Sequence, residues 1–154
     1  MKKWLLLATA ALLGACCNRT TEALQTQPSK DVFAKGSPLE NNPNFTGEAW
    51  LEMFVTAADS MDCTIGNVTF APGVRNLWHA HPGGQILLCT SGKGLYQEKS
   101  GTVRELRPGD VVRIASGVVH WHGAAPDSEF THIAIGTQVS KGPAEWFGPE
   151  TDNE

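Results

Sequence analysis

Short apolar runs separated by glycine- and proline-rich breaks dominate this chain, and no long apolar segment repeats at the helical period. The runs predict strands at Gly47–Val55, Ile65–Phe70, Gln85–Cys89, Leu95–Glu98, Val103–Leu106, Val111–Ile114, His120–Gly123 and Thr131–Ile135. Between them, Ala71-Pro72-Gly73, Ser91-Gly92-Lys93-Gly94 and Arg107-Pro108-Gly109-Asp110 read as turns, and Lys99-Ser100-Gly101 as a hairpin tip. Many short strands at regular spacing indicate an all-β sandwich or barrel.

The ends depart from this pattern. Lys2-Lys3 precede an apolar stretch from Trp4 to Leu13, too short for the roughly 20 residues that span a bilayer. With Leu13-Gly14-Ala15-Cys16 after it, residues 1–16 read as an export signal with a lipobox, lipidated at Cys16. Export without lipidation, or a buried N-terminal helix, is the alternative. Residues 17–44 are rich in Thr, Gln, Pro, Ser and Asn and read as a polar linker, leaving 45–154 as one domain. The expected location is periplasmic, with membrane attachment only through Cys16. In the tail, Trp146-Phe147 is expected to pack on the barrel or on a partner.

The net charge of −4, with no Lys/Arg cluster after Lys2-Lys3, argues against nucleic acid as a partner. Of the four cysteines, Cys63 and Cys89 could pair in an oxidising compartment, although Cys89 sits in an apolar run and suits a core position. There is no CxxC.

All five histidines lie between positions 79 and 132. His79 and His81 leave one face of a strand, Gln85 can return to that face after Pro82-Gly83-Gly84, and His120 and His122 repeat the spacing. Three imidazoles and an amide oxygen suit a divalent transition metal. The expected ligands are therefore His79, His81, Gln85 and His120. His122 shares the face of His120 one pleat further on, which stands it beside the metal. For His122 and His132 the choice lies between acid/base groups and structural histidines satisfied by backbone. Trp78 and Trp121 point away from the ligands and should pack, and Asp110 and Arg113 read as turn and solvated face. Val68, Leu87 and Phe130 are expected among the pocket walls.

The spacing resembles the cupin family. Gly73, five residues, His79-Ala80-His81, three residues, Gln85, six residues and Gly92 match its first motif. Gly109, five residues, Ala115-Ser116-Gly117, two residues and His120 match its second. Gln85, Ala115 and Ala124 stand where Glu, Pro and Asn are usual. The segments WHAHPGGQILLCTSGKG and RPGDVVRIASGVVHWHGAAPDSEFTHIAIG are similar to the small bacterial cupins associated with carboxymuconolactone decarboxylase-like proteins, which include manganese-dependent hydroxynitrile lyases. That resemblance implies a jelly-roll barrel and manganese at the four ligands, with iron, nickel or zinc as alternatives. It implies proton transfer by His122 and His132 and a small oxygenated substrate cleaved at a carbon–carbon bond. It also implies a homodimer or higher homo-oligomer, for which the Trp50–Phe54 strand is a plausible edge. A metal-dependent dioxygenase and a non-enzymatic ligand-binding barrel are the other readings.

Overall fold

The computed structural model describes residues 32–148. The expected export signal, Cys16, residues 17–31 of the linker and the last six residues lie outside them.

Eleven strands follow one another in the described chain. They are β1 (Ser37–Pro38), β2 (Ala49–Val55), β3 (Cys63–Phe70), β4 (His79–Ala80), β5 (Gln85–Gly92) and β6 (Gly94–Glu98). Then come β7 (Arg104–Leu106), β8 (Val111–Ile114), β9 (His120–Ala124), β10 (Phe130–Thr137) and β11 (Glu145–Trp146). They form two antiparallel sheets, one ordered β1-β2-β3-β10-β5-β8 and the other β11-β4-β9-β6-β7. The fold is all-β, as the strand pattern implies, and the facing sheets enclose the core in the manner of a jelly roll.

Alternation fixes which side chains enter that core. In β5, Gln85, Leu87 and Cys89 are buried while Ile86 and Leu88 are less so, and in β8 Val112 and Ile114 point in while Val111 and Arg113 are exposed. Phe70, Leu87, Leu106 and Phe130 have no exposed surface and form the apolar centre with Val68, Tyr96, Val112 and Ile114. Strand β9 is buried on both faces. Its histidines face inward, whereas Trp121 packs edge-on against Trp78, donates to Gln97 and lies under the Arg75 guanidinium. The two tryptophans thus do pack away from the histidines.

One feature differs from the sequence pattern and two answer what it left open. Part of the expected polar linker is in the sheet: β1 pairs with Trp50 and Leu51 of β2, Leu39 N–H donates to Ala49, and Lys35 sits 3.5 Å from the Trp50 ring. Pairing and stacking hold a segment whose own residues carry no apolar alternation. The tail adds β11, paired on β4. Finally, Cys63 and Cys89 are free thiols, set opposite Thr137 and His132 toward different ends of β10.

Candidate metal centre

The two sheets each deliver part of one polar cluster. His79 and His120 are direct cross-strand partners on β4 and β9, with ring centroids 4.2 Å apart. His81 follows β4 and lies 5.2 Å from His79 and 6.0 Å from His120. Gln85 and His132 come from β5 and β10 of the other sheet. Five of the six candidate residues, His79, Gln85, His120, His122 and His132, are buried in one region, and His81 beside them is half-buried.

Local backbone chemistry explains how His81 and Gln85 come together. A Cβ on Gly83 would lie 1.8 Å from the Thr137 carbonyl oxygen, and Gly84 has φ +88°, so both positions of the turn require glycine. Gly84 N–H and Gly117 N–H both donate to the His81 carbonyl. The chain is thereby folded back sharply enough to bring the amide of Gln85 to His120.

Hydrogen bonds set the protonation of the rings. His79 Nδ1 is 3.0 Å from the Leu77 carbonyl and His120 Nδ1 is 2.9 Å from that of Val118. A carbonyl can only accept, so each Nδ1 carries the proton and each Nε2 presents a lone pair. Burial pushes His79 down to about 3 and His81 down to about 4, with His120 beside each adding to the shift. Burial also lowers His120. At neutral pH these are neutral imidazoles, the form that binds metal.

These residues fit a divalent cation on their own geometry. Gln85 Oε1 stands 3.1 Å from His120 Nε2, two acceptors with no proton between them. A shared cation satisfies that pair, and otherwise only rotation of the amide does. His81 Nε2 is likewise buried without a partner, an arrangement that costs stability when nothing fills it.

Beside the ligand candidates stand the other two histidines. A nitrogen of His122 lies within 4.8 Å of nitrogens of His79 and His120, closer to the centre than a position one pleat along suggests. Its ring meets the side chain of Asn76, not a backbone group. His132 lies between the Phe70 and Phe130 rings, stacked at 5.8 and 5.1 Å, and neither of its nitrogens has a partner. Burial drives His132 down to about 3 and His122 well below the ordinary range, where His132 adds to the effect.

Sequence reasoning missed two neighbours. Asn76 precedes the first His-x-His pair by three residues and carries no motif signal. Trp146 stacks on His79 at 4.6 Å, and only the pairing of β11 with β4 brings it there. Val68, Leu87 and Phe130, expected in the pocket wall, belong to the packed core. A cavity of about 370 Å³ opens beside His81 instead, lined by Thr64, Thr137, Val139, Pro143 and Ala144 among others. That volume suits a small molecule.

The cupin domain family matches residues 66–136, which contain all six site candidates. The chain is also 41% identical over 110 residues to the (R)-mandelonitrile lyase of Granulicella tundricola, across 71% of this chain and 84% of that one. This chain belongs to the cupin family. A cupin-like protein from Thermotoga maritima is 51% identical and superposes with a TM-score of 0.75, covering 80% of this chain and 92% of that one. The fold extends to a DMSP lyase from Ruegeria pomeroyi, 20% identical with a TM-score of 0.59, over 68% of this cupin and 54% of that chain. The three-histidine cluster of this cupin that is compatible with a divalent metal is His79, His120 and His122, so the expected ligands His79 and His120 are in it, His122 stands in it as well, and His81 lies outside it.

Proposed function

We propose that this cupin is a metal-dependent lyase of hydroxynitrile type, cleaving a small cyanohydrin to an aldehyde and hydrogen cyanide. The observation that carries this reading is the set of neutral His79, His81 and His120 with Gln85, placed directly against two further histidines that are also held neutral. The likeness to a mandelonitrile lyase supports it.

His79, His81, Gln85 and His120 would hold the metal, manganese first. When bound, that ion supplies Lewis acidity that lowers the pKa of a substrate oxygen. The protein's own groups do the rest. The cavity beside His81 admits a small substrate, and the buried site excludes water from the reacting carbon. His122 or His132 takes the hydroxyl proton, the carbon–oxygen double bond forms, and the carbon–carbon bond breaks with its electron pair leaving on cyanide. A buried imidazole resists charge, but here the proton arrives as an anion forms next to it, so the two charges offset each other.

Elemental analysis of untagged protein, followed by mandelonitrile assays, tests this. Manganese with aldehyde release that disappears in His122→Ala or His132→Ala is the expected result. Bound iron with oxygen uptake and no cyanohydrin turnover would instead make it a dioxygenase, and full metal occupancy with neither activity a binding protein.

We further propose that the protein is exported, anchored through Cys16, and works as a homodimer or higher homo-oligomer. Lys2-Lys3, the apolar run and Cys16 support the first part, and the exposed Met53 and Phe54 on β2 the second. Mass spectrometry of the mature N-terminus and light scattering check them, an unmodified Cys16 or a monomer being the contrary results.

A further inference from the structure

We propose that the cavity beside His81 is a subsite for an aromatic ring that carries a hydroxyl group, with Thr64 as the residue that selects that hydroxyl. The substrate class is then the cyanohydrins of hydroxylated aromatic aldehydes. This deepens the lyase reading above and rests on it for the reacting end of the substrate.

One row of the six-stranded sheet carries the argument. Gln85 of β5, Gly136 of β10 and Thr64 of β3 are successive cross-strand partners. All three share the inner face with the core residues Leu87, Ala134 and Val68, which lie two or four positions away along the same strands. Neighbouring strands are about 4.8 Å apart, so Thr64 stands roughly 10 Å across the sheet from Gln85. Gly136 between them leaves the interval open. A Cβ there would fall 2.7 Å from Thr64 Oγ1 and 3.7 Å from a Val139 methyl. The floor of the cavity is thus bare backbone, with an expected metal ligand at one end of the row and a hydroxyl at the other. A ring with a polar group on opposite edges matches that span.

The wall is polar at few points. No hydrogen-bond partner for the Thr64 hydroxyl stands among the described residues. Its neighbour Thr137 is already engaged, donating to the Gly83 carbonyl at 2.8 Å. Apart from His81, the other side chains of the wall are apolar, namely Ala57, Val139, Pro143 and Ala144. Such a pocket draws its specificity from the few polar groups placed in it.

The chain after β10 forms the roof. Ser140 N–H donates to Asp62 at 2.8 Å, and further on β11 pairs with β4 while Phe147 N–H donates to the Trp78 carbonyl at 2.9 Å. Between these ties Gly142 takes φ +130°, which suits only glycine, and the chain turns so that Pro143 and Ala144 line the cavity. Roughly 150 Å³ of apolar cavity holds a benzene ring. The volume here is about 370 Å³, enough for the ring, its hydroxyl and the reacting carbon.

Titration calorimetry of the metal-loaded full chain with benzaldehyde and 4-hydroxybenzaldehyde tests this without turnover. The wild type should bind the hydroxylated aldehyde about tenfold more tightly, the effect of one hydrogen bond. Thr64→Val keeps the shape without the hydroxyl and should bind both alike, as should Thr64→Ala, whereas Thr64→Ser should keep the preference. Ala144→Leu intrudes on the roof and should weaken both aldehydes by about tenfold or more. On mandelonitrile and 4-hydroxymandelonitrile, kcat/KM should follow the same order. Equal binding in the wild type, a preference that survives in Thr64→Val, or unchanged binding in Ala144→Leu would overturn the subsite. Mandelonitrile turnover without the preference would remove this proposal and leave the lyase reading. Selective binding lost in Thr64→Val, with neither cyanohydrin turned over, would remove the lyase reading and leave the aryl subsite.

Discussion

His120 and Gln85 face each other at 3.1 Å, but they make unequal demands on substitution. His120 is fully buried with its Nδ1–H tied to Val118, so His120→Ala removes a preset lone pair and opens a cavity. Metal content measured after dialysis should fall to background, whereas Gln85→Ala should weaken binding and not abolish it. Full metal retention by His120→Ala would refute the four-residue site. Gln85→Glu probes charge. It adds one negative charge beside any bound cation, so azide or cyanide should bind more weakly by about tenfold or more, since unit charges a few ångströms apart interact by several kcal/mol at an effective dielectric near 20. Equal or tighter anion binding would show that the neutral amide does not set the charge of the site. At this scale the spacing in the sequence is informative because strand geometry converts even intervals into a common face. Asn76 escaped that logic. It reaches His122 of β9 from a segment that carries the isolated bridges of Arg75 to Gly123 and Asn76 to Phe45, and no interval along the chain encodes such an approach.

Among the elements, the turn at Pro82-Gly83-Gly84 carries more of the site than its length suggests. Gly83→Ala would drive a Cβ into the Thr137 carbonyl, and that backbone cannot retreat without shifting β10, which bears His132. We expect a loss of a few kcal/mol in stability together with weaker metal binding, because overpacking against backbone and displaced ligands act on the same loop. Gly101→Ala is the control, since its nearest neighbour would be 3.6 Å away and nothing has to shift to accept the added carbon. Chemical denaturation of both variants checks this, and equal effects would mean that steric fit at position 83 is not what holds the loop. The alternation of β5 and β8 is legible in the sequence because each strand has one wet and one dry face. Strands β1 and β11 are not legible. Each is two residues long, and each is defined by the partner it pairs with rather than by its own pattern.

For the molecule as a whole, gathering five histidines in one small barrel, four of them buried, ties its stability to protons. His79 and His132 are driven to about 3 and His81 to about 4, all below the 6.5 of an exposed imidazole. Between those values the unfolded chain binds protons that the folded chain refuses. Stability is therefore complete above about pH 6.5 and is lost as pH falls, with the loss continuing toward pH 3. A buried histidine of this kind costs up to roughly 1.4 kcal/mol per pH unit below 6.5, so by pH 5 the cluster removes on the order of a few kcal/mol, a large share of the roughly 5–15 kcal/mol that holds a typical domain. The metal-free protein should thus melt at markedly lower temperature at pH 5 than at pH 7.5. Bound metal should shift this fall to more acidic pH, because a cation on the same lone pairs competes with protons and stabilises the folded state alone. Thermal melts of chelator-treated and metal-loaded protein across pH 8 to 4.5 measure both effects. A metal-free melting temperature that stays level through this range would mean that these histidines take up protons without unfolding, and that the cluster is open to water.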